Sequence, residues 1–219
     1  MILTTADCHR TVFTRPVTVH DLGVEMMSSL SSEAHVEKIC SQACRALGLL
    51  ARSSRHLSQL KVLRTLYCCN VRPLLEYCSV VWAPHQATLC DRLQKIQNRF
   101  LRLVGFRMGY NYLEVPLDVV ATMLDLPSLQ TRREVQDIMF LYKLVNGATD
   151  CSQLLERVSL HVPSGTRSKD LFGRKFYGTN YARYSTMSRI QQLGNMLSPH
   201  VDFFASSEQS VKFRAKCLL

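Results

Sequence analysis

Hydrophobic residues recur at helical spacing through most of the chain. From residue 31 a seam at steps of three and four predicts a first long helix, capped by Ser31 or Ser32. A second helix is expected to start at a Ser58 cap and to run through Val71. Pro73 then either kinks that helix or opens a new segment. The seam of the first helix consists of Val36, Ile39, Cys40, Ala43, Leu47 and Leu50.

The clearest amphipathic pattern lies at residues 88–104, which predicts a third long helix. Gly105 and Gly109 are expected to end it. A shorter helix is predicted at 117–124, and another that begins around Ser128 and stops at Gly147. A short helical piece follows Asp150, and a last amphipathic helix is predicted at 201–216. The seam of the third helix consists of Leu89, Leu93, Ile96, Phe100 and Leu103.

The first thirty residues have a different pattern, with β-forming residues set among Thr, Arg and Pro16. Residues 18–24 predict one short strand with a close backbone approach at Gly23. No other convincing strand follows soon, so this strand needs a sheet to join. We therefore predict a mainly α fold: a helical bundle with a short N-terminal β-strand or hairpin and an irregular basic C-terminal region. The predicted divisions are 1–30, a helical domain at 31–147, and a basic aromatic loop region with a C-terminal helix at 148–219.

Composition and charge narrow the class of protein. With 47% hydrophobic and 20% charged residues, the 219-residue chain is in the range of globular proteins. Its net charge of +10 favours anionic partners, nucleic acid before a membrane surface. No apolar run reaches the roughly 18 residues of a membrane span, and the first thirty residues lack a secretory signal pattern. We expect an intracellular protein, in the nucleus or cytoplasm, that is not secreted and has no membrane partner.

Three groups of cations have the spacing or the setting that suits a phosphate backbone. One group lies on a single face of the first helix, and another runs along the third helix. The last group is interleaved with Phe and Tyr at 161–184, where the rings suit stacking on unpaired bases. Solvated helix faces carry such charges in many proteins, so an ordinary-surface interpretation stands beside the binding one. The candidates are Lys38, Arg45 and Arg52; Arg92, Lys95, Arg99 and Arg102; and Arg167, Lys169, Arg174 and Lys175.

Catalytic and metal-binding chemistry has no visible pattern. The nine cysteines contain no Cys-x2-Cys pair and no His-x3-5-His follows, which favours reduced thiols over a zinc site. No two of the 17 acids are adjacent, although two-metal phosphoryl transfer needs converging carboxylates. Neither a Gly-x-Ser-x-Gly elbow nor a phosphate-binding glycine loop occurs. We therefore predict no catalytic residue, no metal ligand and no cofactor.

An ordered series of short motifs adds a resemblance. From about residue 18 the series resembles the region after the catalytic core of jockey-like non-LTR retrotransposon reverse transcriptases. In chain order the motifs are Asp21-Leu-Gly-Val24, Ala46-Leu-Gly-Leu49, Leu66-Tyr67, Val71-Arg-Pro-Leu-Leu-Glu-Tyr77, Val80-Val-Trp-Ala-Pro84, Gln97-Asn-Arg-Phe-Leu-Arg102, Leu126-Pro-Ser-Leu129 with Arg132-Arg133, Phe140-Leu-Tyr-Lys-Leu-Val-Asn-Gly147, Arg167-Ser-Lys-Asp-Leu171 and Asn180-Tyr-Ala-Arg183.

The resemblance implies a role for each part of the chain. Leu22 and Gly23 match the family's primer-grip strand, so residues 1–30 would be a palm remnant and 31–147 a thumb-like domain that holds the template–primer duplex. The family's Tyr/Phe-Ala-Asp-Asp catalytic motif would lie upstream of residue 1, and this chain contains no Asp-Asp. The expectation is a truncated C-terminal part of an RNA-directed DNA polymerase. That parent enzyme would use magnesium, whereas the chain as it stands is not expected to be an enzyme.

Three functional hypotheses follow. The first is a binding module for RNA or an RNA–DNA duplex without sequence preference, with an upstream palm segment as a further candidate partner. The second is a non-functional element relic that does not act alone, or an element fragment that folds only when attached to its palm, motivated by the lone strand at 18–24. The third is residual polymerase activity through distant acids, for which primer extension with magnesium is the test and no extension is expected.

Overall fold

The computed structural model describes residues 18–57, 59–161, 170–173 and 175–219. Within these ranges it is mainly helical with one two-stranded sheet, which confirms the predicted fold class. None of the helices there is both long and apolar enough to cross a membrane. The elements are β1 (Thr18–Asp21), β2 (Val24–Met27), α1 (Glu33–Ser53), α2 (Leu60–Asn70), α3 (Arg72–Glu76), α4 (Ser79–Trp82), α5 (Ala87–Arg107), α6 (Leu117–Met123), α7 (Leu129–Val145), α8 (Ser152–Leu155), α9 (Asn180–Arg183), α10 (Thr186–Leu197) and α11 (Glu208–Leu218).

The N-terminal segment is a hairpin, so the prediction of one strand over 18–24 is wrong in its extent. β1 pairs antiparallel with β2, with Thr18 opposite Met27 and Asp21 opposite Val24. Leu22 and Gly23 form the turn, at φ values of +44° and +87°. Val24 is buried, which anchors β2 on α1. The lone strand that motivated the relic hypothesis therefore has its partner within the chain.

A first hydrophobic core joins α1, α2, α3, α5 and α6. The seams predicted for α1 and α5 are confirmed, with Cys40 and Leu103 half-buried at the edges and the other seam residues buried. The rings of Tyr67 and Phe100 stack at its centre, 4.3 Å apart. Both side chains have no exposed surface. The buried apolar faces of α1 and α5 thus fix how these two long helices lie against each other.

Some predicted boundaries differ from the structure. α5 does not end at Gly105 but continues to Arg107. Val115 packs so closely on Gly105 that a side chain at this position would not fit. Gly109 follows the helix end at a φ of +96°. Pro73 opens a new helix, α3, and a break at Cys78 separates it from α4. Ser58, the predicted cap of α2, lies outside the described residues.

A second hydrophobic core packs α10 and α11 onto the outer side of α7. α7 begins next to Ser128, as predicted, and the side chain of Ser128 caps it by accepting a hydrogen bond from the N–H of Thr131 at 3.0 Å. Phe172 and Phe203 meet edge to face between these helices, with ring centroids 5.4 Å apart. The pattern at 201–216 misplaces the last helix, which begins at Glu208. α10 has no counterpart among the predicted helices.

Candidate nucleic-acid interface

The two basic stripes of the sequence lie on helices that run parallel and side by side. Arg99 of α5 donates a hydrogen bond to Sγ of Cys44 on α1 at 3.3 Å. Two turns further along α5, Arg107 reaches the end of α1 and donates to the carbonyl of Ala51 at 3.3 Å and to Oγ of Ser54 at 3.0 Å. Because both contacts follow the same order along the two helices, α1 and α5 point the same way. Their stripes therefore form one surface.

The surface carries cations that have no acid partner. Five of the six side chains are exposed and Arg102 is half-buried. None of the ion pairs among the described residues involves any of them. We call this set the α1/α5 basic face; it consists of Arg45, Arg52, Arg92, Lys95, Arg99 and Arg102.

Elsewhere in the molecule, many cations are neutralised. Arg132 forms a two-pronged contact with Glu76, and Arg189 pairs with the buried Asp137. Lys38, predicted to belong to the first basic stripe, donates to Oε1 of Glu25 on β2 at 2.7 Å. Its ammonium group is thus held by the hairpin and is not grouped with the free cations. That contact lowers the pKa of the Glu25 carboxyl, because the hydrogen bond from Lys38 favours the charged form.

Small residues occupy the side of α1 that faces the α5 stripe. Ser41, Cys44, Gly48 and Ala51 follow one another at steps of three and four, which places them on one side of the helix. The Arg99–Cys44 contact shows that this side faces α5. Among the described atoms, the one nearest to where a side chain would start at Gly48 is Nη1 of Arg52, at 3.5 Å. A strip of small side chains therefore lies between the two basic rows, and we call this strip the trough.

The local electrostatics of the trough are visible at Cys40. Burial raises the pKa of its thiol to about 11, the neighbouring Cys44 adds to the rise, and Arg92 opposes it. Arg92 is thus close enough to act on a group at the edge of α1. The Cys40 thiol remains protonated at neutral pH, so it adds no negative charge to the basic face.

The third group of predicted cations is described only in part. Arg167, Lys169 and Arg174 lie outside the described residues. Lys175 is exposed, away from the α1/α5 basic face, and lines a cleft with tyrosines of the following stretch. The structure therefore brings the predicted cations of α5 together with Arg45 and Arg52 of α1. Lys38 and Lys175 are not part of this face.

Leu22 and Gly23, the predicted primer-grip residues, contact a later motif. The hydroxyl of Tyr77 donates to the carbonyl oxygen of Leu22 at 3.1 Å. A Cβ added at Gly23 would lie 3.5 Å from the Tyr77 ring. Both turn residues have a positive φ, a conformation that glycine adopts more readily than other residues, and Gly23 occupies one of the two positions. Their described role is to form the turn and to seat it on α3.

Other residues of the motif series also contact one another. Tyr67 donates to Oε1 of the buried Gln97 at 3.2 Å, and Nε2 of Gln97 donates to the carbonyl of Pro127 at 2.9 Å. Glu76 and Arg132, which belong to two further motifs, form the ion pair described above. These contacts join α2, α3, α5 and α7. Arg107 is not among the predicted residues, because an arginine that caps a helix distant in sequence has no local sequence signal.

Comparisons with known proteins give no relative. No protein-family model matches the chain, and no curated protein and no solved structure matches it. Within the described ranges, no group of three or more His, Cys, Asp or Glu side chains is placed to hold a metal ion.

Proposed function

We propose that this chain is the post-catalytic, thumb-like region of a non-LTR-type RNA-directed DNA polymerase and binds the template–primer duplex on the α1/α5 basic face. The observation that carries the proposal is the set of unpaired cations on two parallel helices, in a molecule whose other arginines often have carboxylate partners. Binding of a phosphate backbone to a surface of this kind is favourable because the cations condensed on the nucleic acid are released. The motif series supports the choice of polymerase, and several of its members meet in contacts that join α2, α3, α5 and α7.

The dimensions of the face suit a phosphate backbone. Arg92 and Arg102 are ten residues apart, which corresponds to about 15 Å along α5 at 1.5 Å per residue. Successive base pairs of a duplex are about 3.4 Å apart, so the stripe follows roughly four to five of them. Cys44 and Gly48 of the trough have no bulky side chain to hold a backbone away from the arginines. Binding of this type contacts phosphates and does not read bases.

The test is titration of the full chain with a fluorescein-labelled RNA–DNA hybrid, followed by fluorescence anisotropy over a series of salt concentrations. We expect equal affinity for hybrids of unrelated sequence and a steep loss of affinity with salt. A variant that changes all of Arg92, Lys95, Arg99 and Arg102 to Glu is expected to lose binding at low salt. Changing the same four residues to Ala should reduce the slope of log K against log salt by about 3 to 4.

A matched control separates local from overall charge. Changing Lys61, Lys212, Arg214 and Lys216 to Glu produces the same change in net charge at exposed positions outside the face. We expect this control variant to retain most of the affinity. Equal losses in the two variants, with both folded by circular dichroism, would refute the assignment of the face, as would a wild-type chain that does not bind the hybrid.

A further inference from the structure

A cleft of about 1020 Å³ lies where α1 and α5 begin. Its wall includes Ser31 and Ser32, which immediately precede α1, and His85 and Gln86, which immediately precede α5. Because the two helices are parallel, both start at the same end of the basic face. The cleft therefore lies at the N-terminal ends of the two helices that carry the basic face, and the partial positive charge of those ends also favours anions.

The charged groups of the cleft leave it cationic. Arg157 and Lys175 line it, are exposed, and have no carboxylate partner among the described residues. Among the described residues of its wall the one acid is Glu25, whose carboxylate is held by Lys38 at 2.7 Å. A third lining cation, Arg189, is neutralised by Asp137. The charge of the cleft is complementary to a polyanion.

The rings of the cleft are arranged for stacking. His85 lies parallel to Tyr184, with ring centroids 4.3 Å apart and an angle of 2° between the planes. Tyr181 also lines the cleft, is 56% exposed and forms no ring contact with another described residue. Tyr177 completes this side of the wall. A flat base can stack on Tyr181 as His85 stacks on Tyr184.

From this juxtaposition we infer that the cleft binds unpaired bases of a single strand that leaves the duplex held on the α1/α5 basic face. The inference rests on the proposed function for the duplex part. The bases stack on Tyr181 and beside the His85–Tyr184 pair, while Lys175 and Arg157 contact the phosphates. At about 1020 Å³ the cleft is near the upper size of a small-molecule site, so it accepts a few nucleotides and excludes a duplex.

Two probes test the inference with the full chain. One is a blunt RNA–DNA hybrid, and the other is the same hybrid with a short oligothymidine overhang at one end, tried at each end in turn. We expect the wild-type chain to bind one overhang probe roughly tenfold more tightly than the blunt probe, the effect of one or two base–ring stacks. Tyr181→Ala and Tyr181→Leu should lose most of this preference and retain the blunt-probe affinity, whereas Tyr181→Phe retains both.

Tyr110→Ala is the matched control, because Tyr110 is an exposed ring outside the cleft wall and its loss should leave both affinities unchanged. Equal wild-type affinity for blunt and overhang probes would overturn the cleft inference and leave the proposed function standing. A Tyr181→Leu variant that weakens both probes equally would also overturn it. Tight binding of free oligothymidine that depends on Tyr181, without binding of the blunt hybrid, would support the cleft and refute the duplex proposal.

Discussion

Arg189 of α10 holds the carboxylate of Asp137 on α7, with its Nε 2.7 Å from Oδ2 and its Nη2 3.3 Å from Oδ1. Asp137 is 1% exposed, and Nη2 of Arg189 also donates to the carbonyl of Val80 at 2.7 Å. One guanidinium therefore ties α10 and α7 to α4. The ion pair adds a polar contact to the apolar contacts of the second hydrophobic core, and it fixes how α10 lies on α7.

Removing one partner of this buried pair is expected to destabilise the fold strongly. Asp137→Ala should lower the free energy of unfolding by about 3–5 kcal/mol, because it leaves the Arg189 charge partly buried and unpaired. Replacing both residues together, as Asp137→Leu with Arg189→Met, should cost much less. Lys143→Ala is the control, since Lys143 and Glu208 form an exposed pair expected to contribute at most about 1 kcal/mol. Urea unfolding of the wild type and the three variants measures these changes, and similar losses in Asp137→Ala and Lys143→Ala would contradict the prediction.

Helices with an uninterrupted apolar seam could be predicted from the sequence, and helices without such a seam could not. α5 could be predicted because its inward positions are apolar and its cations lie off that seam. α10 could not, because Ser188, Gln191 and Asn195 face inward. Asn195 donates to the carbonyl of Phe172 and accepts from its N–H, each at 2.8 Å. The buried polar side chains of such a helix bond to residues that are distant in sequence. Its hydrophobic residues therefore do not recur at a clear helical period.

The same distinction applies to the hairpin and to the candidate site. The turn at Leu22 and Gly23 was missed because two-residue turns usually begin with Asn, Asp or Gly, whereas Leu22 adopts the positive φ here. The cation rows could be selected from helical spacing alone. Their side-by-side arrangement depends on the packing of α1 against α5. The cleft depends on residues 24–32, 78–86 and 175–191 coming together, which no local pattern indicates.

Two glycines inside helices should respond in opposite directions to the same substitution. A Cβ at Gly194 would lie 2.6 Å from Cδ2 of Leu141 and 2.7 Å from Cε2 of Phe172. The overpacking of about 1–3 kcal/mol outweighs the gain in helix propensity, so Gly194→Ala is expected to destabilise the chain. Gly48→Ala has room and should stabilise it by about 0.5–1 kcal/mol. Thermal unfolding of the two variants provides the comparison, and a Gly194→Ala chain as stable as Gly48→Ala would show that α10 packs less closely than described.

Acidification should loosen the contact between the hairpin and α1 through His35. The ring is 2% exposed, its Nδ1 accepts from the N–H of Glu25 at 3.2 Å, and its Nε2 is buried without a hydrogen-bond partner. Burial lowers the pKa of His35, with Glu25 opposing the shift and Lys38 and His20 adding to it. The folded chain therefore binds fewer protons than the unfolded chain just below pH 6.5. The stabilisation is present above that pH and is lost as the pH falls through the folded-state pKa.

The measurement is the free energy of unfolding in urea between pH 7 and pH 5. Wild type should lose up to about 1.4 kcal/mol for each pH unit within the sensitive window. His35→Asn retains an acceptor near the Glu25 N–H and should be less stable at pH 7 but flatter with pH. His200→Asn, which changes an exposed histidine, should follow the wild-type slope. Parallel slopes for wild type and His35→Asn would exclude His35 as the group responsible.

The cysteines of the trough predict a chemical footprint that reports on the basic face itself. Because burial raises the pKa of Cys40 to about 11, its thiolate fraction at pH 8 is on the order of one in a thousand, and alkylation by iodoacetamide should be far slower than at the exposed Cys217. Cys44, half-buried beside Arg99, should react measurably in the free chain and become protected when the RNA–DNA hybrid is bound. Mass spectrometry of the alkylated peptides measures each site separately, and Cys217 serves as the unprotected reference. Protection at Cys217 without protection at Cys44 would place the duplex away from α1 and α5.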